Sequence, residues 1–190
     1  MAKLFGNLNL VFVIGLVAAV LVMLGFGASA PVDANSILRW MHVFFGILWI
    51  GLLYYLNFVQ VPTMPSIPAE LKPAITGHIA PNVFFYFRYA AALTVLTGLG
   101  IASVNHYAIP ALTFAGEGNV KLIGLGMWLA LIMAFNVWFI IWPAQKKILG
   151  IVEASAEEKA AAAPRALIAS RTNLLLSLPM LYCMASANLG

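Results

Sequence analysis

The stretch Ile37-Leu38-Arg39-Trp40-Met41-His42-Val43-Phe44-Phe45-Gly46-Ile47-Leu48-Trp49-Ile50-Gly51-Leu52-Leu53-Tyr54-Tyr55-Leu56-Asn57-Phe58-Val59-Gln60 decides the fold. It is long enough to cross a ~30 Å hydrocarbon core, which takes about 20 helical residues. Yet Arg39, His42, Gly46, Trp49, Asn57 and Gln60 recur within it at steps of three, four, three, eight and three. At about 100° per residue they share about 80° of arc on one helical face. Phe44, Ile47, Leu48 and Tyr55 lie opposite. A charged group at the centre of a bilayer costs about 2.5–3.5 kcal/mol on insertion scales. The polar face is therefore expected to meet protein, a bound molecule or trapped water, and the apolar face lipid.

Composition agrees with a membrane setting. The 190 residues are 63% hydrophobic and 8% charged, against about 25% charged in a soluble domain. The net charge of +4 reads as cations flanking spans, and no nucleic-acid partner is expected. The lone Cys183 allows no disulfide framework, multi-cysteine metal site or C-x-x-C-H haem attachment.

Five stretches are apolar enough to span: 8–26, 37–60, 82–104, 122–142 and 173–188. Helices are the expected form, since barrel-type alternation is absent. The expectation is an all-α, polytopic membrane bundle, one domain over 1–190, with four helices around the polar stripe. The fifth stretch is the shortest and contains Pro179. The first has a rival reading as a signal peptide cut near Gly27-Ala28-Ser29-Ala30. Its long apolar run and the following Pro31 favour a retained helix.

With five spans, Lys3, Lys72, Arg88, Lys146, Lys147, Lys159, Arg165 and Arg171 fall on one side, and only Arg39 and Lys121 on the other. The positive-inside rule then puts the amino terminus in the cytoplasm of a bacterial cell and the carboxyl terminus outside its inner membrane. On the cytoplasmic side, 61–81 carries five prolines and reads as an ordered, folded-back loop. Residues 143–172 read as a second loop, with an Ala-rich helix over 154–163 broken by Pro164.

His42 is the first candidate for chemistry. A neutral imidazole at that depth can ligate haem iron or another metal, or move protons. It can equally be a histidine bonded to a neighbouring helix. Arg39, one turn outward, offers a planar fork to a propionate, or simply snorkels to the interface. Trp49 and Gly46 suit a flat apolar ring. His106 follows the third span on the same side and is either a second ligand or a loop residue. His78 reads as a cap or loop residue. Tyr54, Tyr55, Tyr86, Trp138, Trp142 and Phe84, Phe85 and Phe87 read as an aromatic belt. Arg88 and Arg171 read as binders of lipid phosphate or of an acidic ligand. Asn57 and Asn136 can bond across helices, at about 0.6 kcal/mol on average. No Ser-His-Asp set, P-loop or intramembrane carboxylate is present.

Three segments carry a resemblance. Arg39-Trp40-Met41-His42 with Gly46-Ile47-Leu48-Trp49-Ile50-Gly51 and Tyr54-Tyr55-Leu56-Asn57-Phe58 is the first. Asn136-Val137-Trp138 with Ile141-Trp142-Pro143-Ala144-Gln145-Lys146 is the second, and Arg171-Thr172-Asn173-Leu174-Leu175-Leu176-Ser177-Leu178-Pro179-Met180-Leu181 the third. In this order they resemble the urate oxidase N-terminal family, the membrane part of bacterial cytochrome-c-linked urate hydroxylases. The W-x-H and W-x-G pattern also resembles small haem-binding membrane bundles of the protoporphyrinogen oxidase and copper-resistance D type. The resemblance implies a b-type haem on His42 with Arg39 near a propionate, and no other cofactor. It implies a redox role with electrons passed to or from a separate cytochrome. The chain departs from the family in lacking a cytochrome c domain and in carrying Phe85 and Asn188 where the family tends to carry histidine. Urate hydroxylation would then need a complementary chain. The competing expectation is a haem-free accessory subunit of a larger membrane complex, whose stripe packs against other membrane subunits. A transporter is a third reading, disfavoured because a five-span unit shows no inverted repeat.

Overall fold

The computed structural model describes residues 2–26 and 32–187, so the Gly27-Ala28-Ser29-Ala30-Pro31 segment and Asn188 lie outside the described residues. Its long elements are α1 (Leu8–Phe26), α2 (Ala34–Ser66), α3 (Lys72–Val104), α4 (Asn119–Ile148) and α5 (Ala156–Ser186). All five are long and apolar enough to cross a membrane, and the described residues contain no strand. The protein is an all-helical membrane protein. The chain forms two compact units, 1–37 and 38–190.

In the first unit, Asn7 Oδ1 accepts the Leu10 backbone N–H at 3.1 Å and opens α1, which after Asn9 is apolar around its whole circumference. Asp33 and Ser36 cap each other reciprocally. Asp33 Oδ1 accepts from Ser36 N at 2.7 Å, and Ser36 Oγ accepts from Asp33 N at 3.0 Å. These bonds to Ser36 hold the Asp33 carboxyl below its usual range. The cap explains why α2 starts at Ala34, ahead of the expected 37.

In the second unit the helices overrun their expected ends, and proline is the reason. π-helical turns occupy Tyr55–Gln60, Ile75–Ile79 and Asn136–Ile141. Each stops two positions short of a proline: Pro62, Pro81 and Pro143. Proline lacks an N–H and its ring clashes with the carbonyl four residues back. A wider turn re-pairs the backbone five residues back: Val61 N bonds Leu56 O, Ala80 N bonds Ile75 O and Trp142 N bonds Val137 O. The helix thus continues where a stop is expected. The 61–81 loop shrinks to residues 67–71.

The same correction applies to 143–172. Ser155 and Glu158 form a capping box, and α5 then runs unbroken through Pro164 and Pro179. Its Ala-rich start is not a detached solvated helix, because Ala162 and Ala166 pack with Ala144 of α4 in a small-residue contact. One exposed ion pair, Lys147–Glu158 at 2.7 Å, accompanies that contact.

The core of this unit gathers Trp49, Leu53, Phe87, Met133 and Val137, all fully buried. Phe84 and Phe87, expected in the belt, are buried here instead. Gly124 of α4 faces the Ala111 backbone carbonyl, where a Cβ would collide. This lets the short helix Ala108–Leu112 lie flat on α4, where Trp128 Nε1 donates to Leu112 O at 2.9 Å. Asn57 and Asn136 do not bond each other; both turn to α5. Asn57 Nδ2 donates to Ser170 Oγ and Leu53 O, each at 2.9 Å. Asn136 Nδ2 donates to Asn173 Oδ1, and Asn173 Nδ2 to Met133 O, each at 2.9 Å.

Replacing Asn173 by leucine deletes both of its bonds and strands the buried Asn136 amide. We expect a loss of about 1–3 kcal/mol, read as a lower unfolding midpoint in detergent. An unchanged midpoint would show that this pair holds nothing together.

Candidate functional site

Most of the polar face of α2 is turned inward, with Arg39 exposed at its outer end. Trp49 is 0% and Asn57 1% exposed, while Ile47 on the opposite face is 70% exposed. Beside that face lies a cavity of about 770 Å³, walled by α2, α3, α4, α5 and Tyr107. Its lining is mostly apolar, with Ile50, Leu99, Ile123, Met127 and Met180 among the wall residues. Arg39, His42, Gly46 and Trp49 all border it, together with Thr94 and Gly98 of α3.

His42 is fixed from α3. Its Nδ1 lies 2.9 Å from Thr94 O and 3.3 Å from Thr97 Oγ1. A carbonyl only accepts, so Nδ1 carries the hydrogen and donates it. In the neutral ring the free lone pair is then on Nε2. This carbonyl-held tautomer is the form in which a histidine serves as a ligand. The imidazole rests on Gly98, where a Cβ would sit 2.8 Å from His42 Cε1. Thr97 Oγ1 donates to Leu93 O at 2.7 Å, which leaves its lone pairs facing Nδ1.

Arg39 stands one turn beyond His42 and has no carboxylate partner among the described residues. Its charge reaches Tyr107, whose hydroxyl burial pushes up and Arg39 draws part of the way back. The cavity thus has an unbalanced cation and a neutral phenol at one end and hydrocarbon below. Trp49 Nε1 is buried without a hydrogen-bond partner, an arrangement that costs about 1–3 kcal/mol until an acceptor arrives. Gly46 faces Thr94, and a Cβ there would meet only Thr94 Cγ2 at 3.9 Å.

His106 is not brought to this group. It terminates α3 in the left-handed region (φ 58°), is exposed, and does not border the cavity. His78 lies in the π turn before Pro81, where its carbonyl accepts from Asn82. Among the described residues no three His, Cys, Asp or Glu side chains gather to hold a metal ion. Thr94, Thr97 and Gly98 escaped the sequence reading. Their signal is a run of small and hydroxylated residues at helical spacing, the mark of a close helix contact in a membrane.

Fold and site together define a polytopic helical membrane protein with a one-histidine cavity inside its bundle. Residues 111–190, the segment that carries α4 and α5, match the family described as urate oxidase N-terminal. Two of the three resembling motifs, those beginning at Asn136 and Arg171, lie within the match, and the one beginning at Arg39 precedes it. No curated protein and no solved structure matches the chain.

The contact between Gly98 and His42 is testable without any ligand. Gly98→Ala should cost about 1–3 kcal/mol through overpacking. Adding His42→Ala should remove most of that penalty, a coupling visible in a double-mutant cycle of detergent unfolding. Strictly additive losses would place the imidazole away from Gly98.

Proposed function

We propose that this protein is a small membrane redox protein that holds a b-type haem in the cavity beside α2. The reading rests above all on His42, whose Nδ1–H is bonded to the Thr94 carbonyl at 2.9 Å at the wall of a largely apolar chamber. That geometry leaves Nε2 as the ligating nitrogen and fixes the ring plane before anything binds. The residues present fit such a group. Arg39, without a carboxylate partner among the described residues, suits a propionate through its planar fork. The apolar walls suit the face of a flat ring, and the buried Trp49 Nε1 lacks an acceptor. Haem, when bound, supplies one-electron exchange. Of the three histidines only His42 borders the cavity.

The chain's own residues do the rest. Thr94 and Thr97 orient the imidazole, Gly98 lets it approach α3, and Ile50, Met127 and Met180 keep water out. The family match supports a place in oxidation chemistry, and electrons would pass to or from a separate partner. The distribution of Lys and Arg supports an inner-membrane setting with that end facing outward.

A reduced-minus-oxidised spectrum of the purified full-length protein tests this. We expect a Soret shift in the native chain and its loss in His42→Ala, with the helical content unchanged. Arg39→Gln should weaken haem retention by about tenfold, the worth of one charge-assisted bond. A colourless protein that copurifies in fixed ratio with other membrane subunits would replace the haem reading with the accessory one.

A further inference from the structure

A second polar constellation lies away from the cavity and involves none of its residues. Arg88 sits 16 residues before Val104 on α3, or about 24 Å at 1.5 Å per residue, which brings it near the far edge of a ~30 Å hydrocarbon core. A guanidinium just inside that edge is costly unless it is partnered. Its Nε donates to Phe84 O at 3.0 Å. Its Cζ lies 3.3 Å from the ring centroid of Trp142 and 5.7 Å from those of Tyr89 and Trp138. Trp138 Nε1 donates to Arg88 O at 3.2 Å and fastens that ring to α3. The ammonium of Lys146 lies 5.9 Å from the same Trp142 ring.

Two cations therefore address one indole, and among the described residues no carboxylate pairs with either. Cation–π contact stabilises each charge but leaves the pair repelling. The outer N–H groups of Arg88 have no acceptor among the described residues, and a guanidinium fork matches the two free oxygens of a phosphodiester. The flank of this site is apolar and open: Tyr89, Phe85 and Tyr86 are all exposed, and the Phe85 ring packs on Tyr89 at 4.7 Å. An occupant that satisfies both halves carries an anion on a hydrocarbon tail. Arg171, on α5, takes no part in these contacts.

We propose that Arg88 and Lys146, set around Trp142, form a site for the phosphodiester headgroup of an anionic phospholipid. The phosphate bridges the two cations, and the acyl chain runs along the exposed rings of α3. A zwitterionic headgroup brings its own cation to a site that already has two, so it binds less well. Free phosphate has the anion and lacks the tail.

Native mass spectrometry of the full-length protein in mild detergent tests the site with three probes. They are phosphatidylglycerol, phosphatidylcholine with the same chains, and inorganic phosphate. We expect phosphatidylglycerol to bind about tenfold tighter than phosphatidylcholine. That preference should vanish in Arg88→Gln and in Lys146→Gln and persist in Lys159→Gln, a cation elsewhere on α5. Equal binding of the two lipids, or a preference that survives both substitutions, overturns the proposal. Inorganic phosphate that displaces phosphatidylglycerol at equal concentration overturns the lipid assignment in favour of a free-anion site. If Arg88→Gln fails to fold by circular dichroism, Lys146→Gln decides, since it changes only the tip of a partly exposed side chain.

Discussion

Inside hydrocarbon, a polar side chain can be satisfied only by another part of the protein. The bond from His42 Nδ1 to the Thr94 carbonyl meets that requirement for the one imidazole in the bundle core. It joins α2 to α3 at the depth where both would otherwise offer only van der Waals contact. Around it the same logic repeats on α5, where Asn173 serves α4 and Ser170 and Ser177 serve Asn57 and Tyr54 of α2. Two sets of polar contacts result. One borders the cavity and the other ties α2 and α4 to α5.

The separation of these sets has a functional logic. The α5 set is closed: the amides of Asn57, Asn136 and Asn173 all have acceptors. The α2–α3 set is open. His42 retains a nitrogen, and among the described residues Arg39 lacks a counter-charge and Trp49 an acceptor. A fully satisfied network gives rigidity, whereas a network with groups left over is where a ligand can gain free energy.

Much of the architecture was legible in the residues. Apolar length gave five spans, and the angular clustering of Arg39, His42, Gly46 and Trp49 located the inward face. Both signals work because lipid penalises polar groups so heavily that their placement becomes systematic. What stayed hidden has equally physical causes. Proline reads as a helix stop, and here three π turns absorb it. Alanine reads as a solvated helix, and here Ala162 and Ala166 are contacts with α4. Asn57 and Asn136 were legible as bonding residues, but their partners were not, because spacing within one helix says nothing about which neighbour it meets. The pairing of Arg88 with Trp142 was beyond reach for the same reason.

The uninterrupted run of α5 has a mechanical corollary. Thirty-one residues make a rod of about 47 Å, some 17 Å longer than the hydrocarbon it crosses. The surplus at its beginning, braced by Ala144 and the Lys147–Glu158 pair, forms a stiff two-helix spur with α4. A push or pull applied to that spur by a docked macromolecule would be transmitted along the helix axis as a lever stroke, instead of being lost in slack chain.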